Sequence, residues 1–481
     1  MAPLTLARAQ LPSLGDGGEM SLGAERRLGD SIAREIYRDL DYVDDPVLAE
    51  YVQQVWRPLL AAARQTGDLS PDLDERFAWE VMLVRDRSVN AFALPGGYLG
   101  VHLGLISAVS SPDELASVLA HELTHVTQRH ISRQMSKQAQ QSPLMVGAMI
   151  LGILAASKSP NAANALITGG QAVAIQAQLN FSRDMEREAD RVGYGVMTQA
   201  GFEPAGFVGM FEKLQQASRL NDNGSYPYLR SHPMTTERIA DAQARQQLGV
   251  KSAPPALSVT HAMMAARARV LSGPTRDQLR AWVTEVASPE FANAPPARQA
   301  GQLYTAILAK SQLKEPVGTD ALVRRLTVLV RDDAAASRLT TLLAAEAALA
   351  AGDARRADLL TDPASLQRPE VLLSARAQIQ TGQAREAAQK LQSWVANHPR
   401  DAMAWQSLSD AWGASGQAVR AIRADGEVRV VWMDYAAAID RFRAAQDLVR
   451  RGGAVDHIEA SVVDSRLREV QLLLREQALQ R

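Results

Sequence analysis

From residue 20 to residue 70 the apolar positions recur at helical spacing, which predicts helices there. The spacing then shortens. Trp79 to Val84 reads as a strand, followed by a turn at Asp86 to Ser88 and a second strand from Asn90 to Leu94. Pro95-Gly96-Gly97 turns the chain into a third strand, Tyr98 to His102, and the three together predict a small antiparallel sheet. Helical periodicity resumes at Ser110 and runs to a polar loop near Asn221 to Ser231 and the linker Lys251-Ser-Ala-Pro-Pro. One domain is expected to end there.

The remainder, from Val259 to Arg481, shows no strand pattern and reads as paired helices with short polar turns. Gly382 and Gly416 stand 34 residues apart, each after about a dozen helical residues, with Pro399 where such a repeat would end. Trp405, Leu408 and Trp412 resemble the W-x-x-L-x-x-x-aromatic start of a tetratricopeptide (TPR) repeat, and a weaker echo surrounds Gly352. A TPR-like α-solenoid over residues 259–481 is expected, with a plain helical bundle as the other possibility. A solenoid presents a concave face that suits extended peptide segments, so a protein partner is implied.

Lys plus Arg number 52 and Asp plus Glu 53, so no whole-chain field attracts nucleic acid. The chain has no Cys, which removes a disulfide scaffold, a cysteine nucleophile and thiolate metal ligands. Any metal must be held by His, Asp and Glu. Residues 1–9 look like the remnant of an export signal, because Ala7-Arg8-Ala9 has the small-x-small form of a signal-peptidase site; a disordered terminus is the alternative. No segment is apolar enough to span a bilayer. The nearest, Leu144 to Ala156, is expected to be a buried helix or a surface that touches an interface without spanning it. No P-loop, G-x-S-x-G elbow or G-x-G-x-x-G fingerprint is present, so no nucleotide is expected.

The chemistry concentrates at His121-Glu-Leu-Thr-His125. Ser111-Pro112-Asp113-Glu114 is a capping box with Pro at the first helical position, so a helix begins just upstream. His121 and His125, four apart, share one face of it and can converge on one Zn²⁺. Glu122 lies about 100° round the helix, where it can take a proton from water activated by the metal. A catalytic zinc needs a third protein ligand and an open position. In Ser182-Arg-Asp-Met-Glu186-Arg-Glu-Ala-Asp190, Glu186 can reach the metal while Asp190, on the same face, orients a ligand histidine. Glu188 is expected to be solvated. His130, about 140° off the ligand face, is expected to be exposed, and His102, His261, His398 and His457 carry no motif.

HELTH followed by Glu186-x-x-x-Asp190 resembles the zinc metallopeptidases that include the heat-shock protease HtpX and the CaaX prenyl protease. Asn90-Ala-Phe-Ala-Leu-Pro-Gly-Gly97 is similar to that family's segment leading to the strand that holds the substrate backbone. The resemblance implies one zinc per chain on His121, His125 and Glu186, with Glu122 as catalytic base. It places a peptide on the edge formed by Asn90, Ala91, Phe92, Ala93 and Leu94. It also singles out His232, in Ser231-His232-Pro233, which could fill the fourth zinc position and keep the enzyme latent.

The expected fold is mainly α, of the α+β kind: a helical zincin-type metalloprotease domain over residues 10–250, a linker at 251–258 and the solenoid. This pairing, without membrane spans, resembles a periplasmic branch of the family that attends outer-membrane β-barrel assembly. The resemblance implies misassembled outer-membrane proteins as substrates and the β-barrel assembly machinery as partner of the solenoid. The other reading is a non-proteolytic periplasmic chaperone with a latent or structural zinc.

Overall fold

The computed structural model describes residues 20–137, 181–219, 226–248, 258–451 and 457–479. The candidate signal remnant and Leu144 to Ala156 lie outside the described residues. After α1 (Leu22–Arg38) come β1 (Tyr42–Val43) and α2 (Pro46–Thr66). Asp45 caps α2 by accepting the Leu48 N–H, and Gly67 ends it at φ 80°. α3 (Pro71–Arg76) precedes the sheet strands β2 (Glu80–Val84), β3 (Ala91–Leu94) and β4 (Tyr98–His102).

The sheet order is β1-β2-β4-β3, and it is mixed rather than antiparallel. β3 folds back on β4 through Pro95–Gly97, and β4 then inserts beside β2, so these two run parallel. The first and third of three strands that reverse direction at each turn must be parallel when they become neighbours. β1, too short to stand out in the sequence, pairs antiparallel with β2.

β3 is left at the sheet's edge. The His102 N–H donates to the Asn90 carbonyl at 3.0 Å, and the register pairs Ala91 with Val101. Because bonded residues alternate along an antiparallel pair, the backbone groups of Ala91 and Ala93 turn away from β4.

α4 (Leu103–Ala108) leads to α5 (Pro112–Thr127), whose Ser111 cap accepts the Glu114 N–H as the sequence predicts. Then come α6 (His130–Lys137), α7 (Arg183–Gln199), α8 (Ala205–Arg219), α9 (Tyr228–Ser231) and α10 (Thr236–Leu248). α7 packs against α5, and a Cβ on Gly193 would stand 3.1 Å from Ala120 and His121 backbone atoms. Glycine here lets the two site-bearing helices approach closely.

The helical part comprises α11 (Val259–Leu271), α12 (Arg276–Glu285), α13 (Pro289–Ala292), α14 (Pro296–Leu313), α15 (Thr319–Val330), α16 (Ala334–Ala350) and α17 (Ala354–Leu360). It continues with α18 (Arg368–Gln380), α19 (Ala384–Asn397), α20 (Ala402–Ala414), α21 (Ala418–Val431), α22 (Tyr435–Arg451) and α23 (His457–Leu479). The pairs α16/α17, α18/α19 and α20/α21 each turn on a left-handed glycine: Gly352, Gly382 and Gly416. Trp405, Leu408 and Trp412 are buried in one core with α19.

One buried apolar cluster runs from Val43 to Ala377, so the core does not break at 251–258. His261 on α11 helps to explain why. Its Nε2–H donates to the Val109 carbonyl at 2.8 Å, and its Nδ1 accepts the Tyr51 hydroxyl at 2.6 Å.

Three arginines of the helical part also grip the segment 44–50. Arg267 pairs with Asp45 and Glu346, Arg338 with Glu50 and Glu370, and Arg368 with Asp44 and Asp401, all at 2.5 to 2.9 Å. Each arginine thus joins one carboxylate of the N-terminal part to one of the helical part.

Candidate metal centre

α5 presents His121 and His125 on one face, with their Nε2 atoms 3.0 Å apart. α7 brings Glu186 to 3.5 Å from His121 Nε2 and 3.4 Å from His125 Nε2. From the residue that ends α9, His232 Nδ1 stands 3.2 Å from His121 Nε2 and 3.0 Å from Glu186 Oε1. All four side chains are buried, and one donor atom from each falls within 4.8 Å of the others. Donors held 2.0–2.1 Å from a tetrahedral Zn²⁺ lie about 3.3 Å from one another, so this set fits that ion. Three neutral imidazoles and a carboxylate are also the donor chemistry zinc prefers.

Each ligand-face histidine is held from behind. His121 Nδ1 lies 3.0 Å from Asp190 Oδ1, and Asp190 receives both arms of Arg238, on α10, at 2.6 and 2.8 Å. Arg238 also approaches Glu186 Oε2 at 2.9 Å. Asp190 therefore lies on the Nδ1 side of His121, away from the donor set. Arg238 escapes sequence reading, since a cation 48 residues from its partner leaves no local signal.

His125 has a different support, and two expectations fail there. His130 is buried, with Nδ1 2.9 Å from His125 Nδ1 and Nε2 3.0 Å from Glu188 Oε2. Glu188 also accepts from Arg133 at 3.0 Å, so it is paired rather than simply solvated. The 140° offset assumes one continuous helix. α5 instead ends at Thr127, Arg129 takes φ 52°, and α6 restarts at His130, which swings that ring back under the site. Phe181 stacks on His125 at 3.9 Å and Tyr228 on His232 at 4.4 Å, closing the cluster with aromatic faces.

Electrostatics separate the two glutamates. Burial works to raise Glu186, but the charge of His232 and hydrogen bonds from His121, His125 and His232 hold its carboxyl well below the usual range. Burial raises Glu122, against the charges of His232 and His121. Glu122 is fully buried, and among the described residues no well-formed hydrogen bond reaches its oxygens, the Tyr228 hydroxyl being the hydrogen-bonding group beside it. His232 Nε2 lies 3.4 Å from Glu122 Oε1. A buried carboxyl so sparsely hydrogen-bonded is costly to maintain, which points to a use beyond stability.

β3 packs against α5, so the edge carrying Ala91 and Ala93 adjoins the helix of the cluster. Phe92 and Leu94 belong to the bonded side of that strand, as does Asn90 just before it. His102, expected to carry no motif, bonds Ser88 Oγ at 2.9 Å, and His398 stacks on Trp394 at 3.9 Å. Among the described residues no helix is long and apolar enough to cross a membrane.

Comparison with known proteins bears on this geometry. The model of peptidase family M48 matches residues 48–246, which include the whole cluster. A Vibrio cholerae protein named putative beta-barrel assembly-enhancing protease is 30% identical over 449 residues, 92% of this chain and 89% of that one. The beta-barrel assembly-enhancing protease of Escherichia coli is 32% identical over 237 residues, 49% of this chain and 47% of its own length. The mitochondrial metalloendopeptidase OMA1 of Saccharomyces cerevisiae is 28% identical over 193 residues, 39% of this chain and 53% of that protein.

Proposed function

Because the chain belongs to peptidase family M48 and is a zinc metalloprotease, we propose that it is a periplasmic endopeptidase of outer-membrane protein quality control, with His121, His125 and Glu186 as its zinc ligands. The observation that carries the site assignment is the buried donor set beside the fully buried Glu122 carboxyl. Bound zinc would supply Lewis acidity toward the scissile carbonyl and toward water.

The protein's own residues do the rest. Glu122 takes a proton from the attacking water and returns it to the leaving amine, a role suited to a buried carboxyl with few competing hydrogen bonds. Asp190, anchored by Arg238, holds His121 with Nε2 facing the donor set. An extended peptide adds to β3 through the outward N–H and C=O groups of Ala91 and Ala93. Backbone pairing of this kind selects chains that are not folded. That fits relatives named for enhancing β-barrel assembly, and we assign misassembled outer-membrane proteins as substrates. Residues 259–481, as a TPR-like unit after the linker 251–258, would dock on the β-barrel assembly machinery, while residues 10–250 form the catalytic unit.

Elemental mass spectrometry tests the ligand assignment. Wild-type protein is expected to carry about one zinc per chain and Glu186→Gln very little, since the site loses its only anion. A mutant that keeps full zinc would remove Glu186 from the set.

His232 supports a latent resting state, because a fourth protein donor leaves no position for substrate or water. His232→Ala is expected to raise basal cleavage of an unfolded peptide several-fold and weaken zinc retention by a measurable step. Unchanged values for both would exclude the gate. The same closed donor set favours the second reading, a chaperone-like assembly factor whose zinc is structural.

A further inference from the structure

We infer that His130 is a positioning residue that fixes the orientation and tautomer of His125 for metal binding; this rests on the reading of His125 as a zinc ligand. His125 turns Nε2 toward His121 and Glu186, which leaves Nδ1 pointing away from the donor set. Among the described residues, the group that meets that nitrogen in hydrogen-bonding geometry is His130 Nδ1, at 2.9 Å.

Two ring nitrogens can share a hydrogen bond only if one carries the proton and the other does not. The far side of His130 decides which. Its Nε2 lies 3.0 Å from Glu188 Oε2, a carboxylate oxygen that Arg133 also engages. A carboxylate can only accept, so His130 Nε2 bears a proton and, in the neutral ring, Nδ1 is the acceptor. His125 then donates from Nδ1–H, and its Nε2 lone pair is free for a cation. The sequence of partners, Arg133 to Glu188 to His130 to His125, sets one tautomer at the end nearest the metal.

The arrangement matches the one behind His121, where Asp190 and Arg238 serve. Both ligand histidines are thus backed at Nδ1, and both supports end in an arginine. The His121 support uses a carboxylate directly, whereas the His125 support inserts a second imidazole. His130 is fully buried, and its bond to His125 is what links it to the donor set.

Zinc affinity by chelator competition, on the full chain, tests this. His130→Ala is expected to raise the zinc dissociation constant by about 10- to 100-fold, as loss of such a partner typically does. His130→Asn, whose amide oxygen can accept the same proton, is expected to recover most of that loss. A merely structural role would lower the melting temperature of the zinc-free protein in both variants alike and would show no rescue. In ¹⁵N NMR the Nδ1–H resonance of His125 should be present in wild type and exchange-broadened in His130→Ala. Should that variant fail to fold, Glu188→Ala decides, with a smaller loss of affinity expected from freeing the His130 tautomer. Unchanged affinity in His130→Ala or Glu188→Ala, or His130→Asn as weak as His130→Ala, overturns the inference while leaving the ligand set standing. A wild-type chain that binds no zinc overturns both.

Discussion

Replacing Glu122 with glutamine is expected to cut peptide hydrolysis by about 10² to 10⁴ while zinc content stays at the wild-type level. Glutamine keeps the size of the side chain but cannot take a proton. The substitution disturbs little else, since the Tyr228 hydroxyl is the hydrogen-bonding group beside the Glu122 carboxyl and the glutamine amide oxygen can still accept from it. Burial already disfavours the charged form, so a neutral amide costs the fold little and should leave thermal stability equal or slightly higher. Cleavage of an unfolded peptide, measured beside metal analysis of the same sample, separates chemistry from assembly. Cleavage that survives with zinc in place would assign the base elsewhere. A cellular assembly phenotype untouched by the substitution would favour the chaperone-like reading.

The second large effect lies far from the zinc. Arg267→Ala is expected to destabilise the protein by about 3 kcal/mol, the lower end of what breaking a buried ion pair costs. The guanidinium is buried between Asp45 and Glu346 and also donates to the Tyr304 hydroxyl at 3.0 Å. Removing it strands two carboxylates, one of which is the cap of α2. Glu346 keeps some access to water, which is why the lower figure applies. The midpoint of urea unfolding reports the change, and Arg267→Lys should recover only part of it, because an ammonium cannot serve two carboxylates bidentately. No shift in Arg267→Ala would mean that the interface is held by apolar packing alone.

Much of the site was legible because helices write their contacts at fixed spacing. His121 with His125, and Glu186 with Asp190, are four apart, and the capping box at Ser111 showed where the first helix begins. What was not legible depended on breaks in that regularity. His130 was misplaced because the helix ends between it and His125, and no spacing rule survives a left-handed residue such as Arg129. Arg238 is invisible for the opposite reason: its partners lie on another helix, and only the packed structure brings them together. Three of the four strands were found but not their pairing, since periodicity gives a strand's faces and says nothing of its neighbour. In the helical part the glycine turns carried the pattern, and the continuity of the core across 251–258 did not show in composition.

The three arginines that grip residues 44–50 also constrain the order in which the molecule can be built. Asp45 waits for a partner 222 residues away, Glu50 for one 288 away and Asp44 for one 324 away. Contacts so distant in the chain form late, because the entropy of closing such loops is lost before the contact repays it. α2, whose cap is one of these acids, packs directly on α5 and α7. The bed on which the HELTH helix rests is therefore completed only after the chain has been made at least as far as Arg368. A half-made chain would hold the ligands of a protease without the foundation that steadies them.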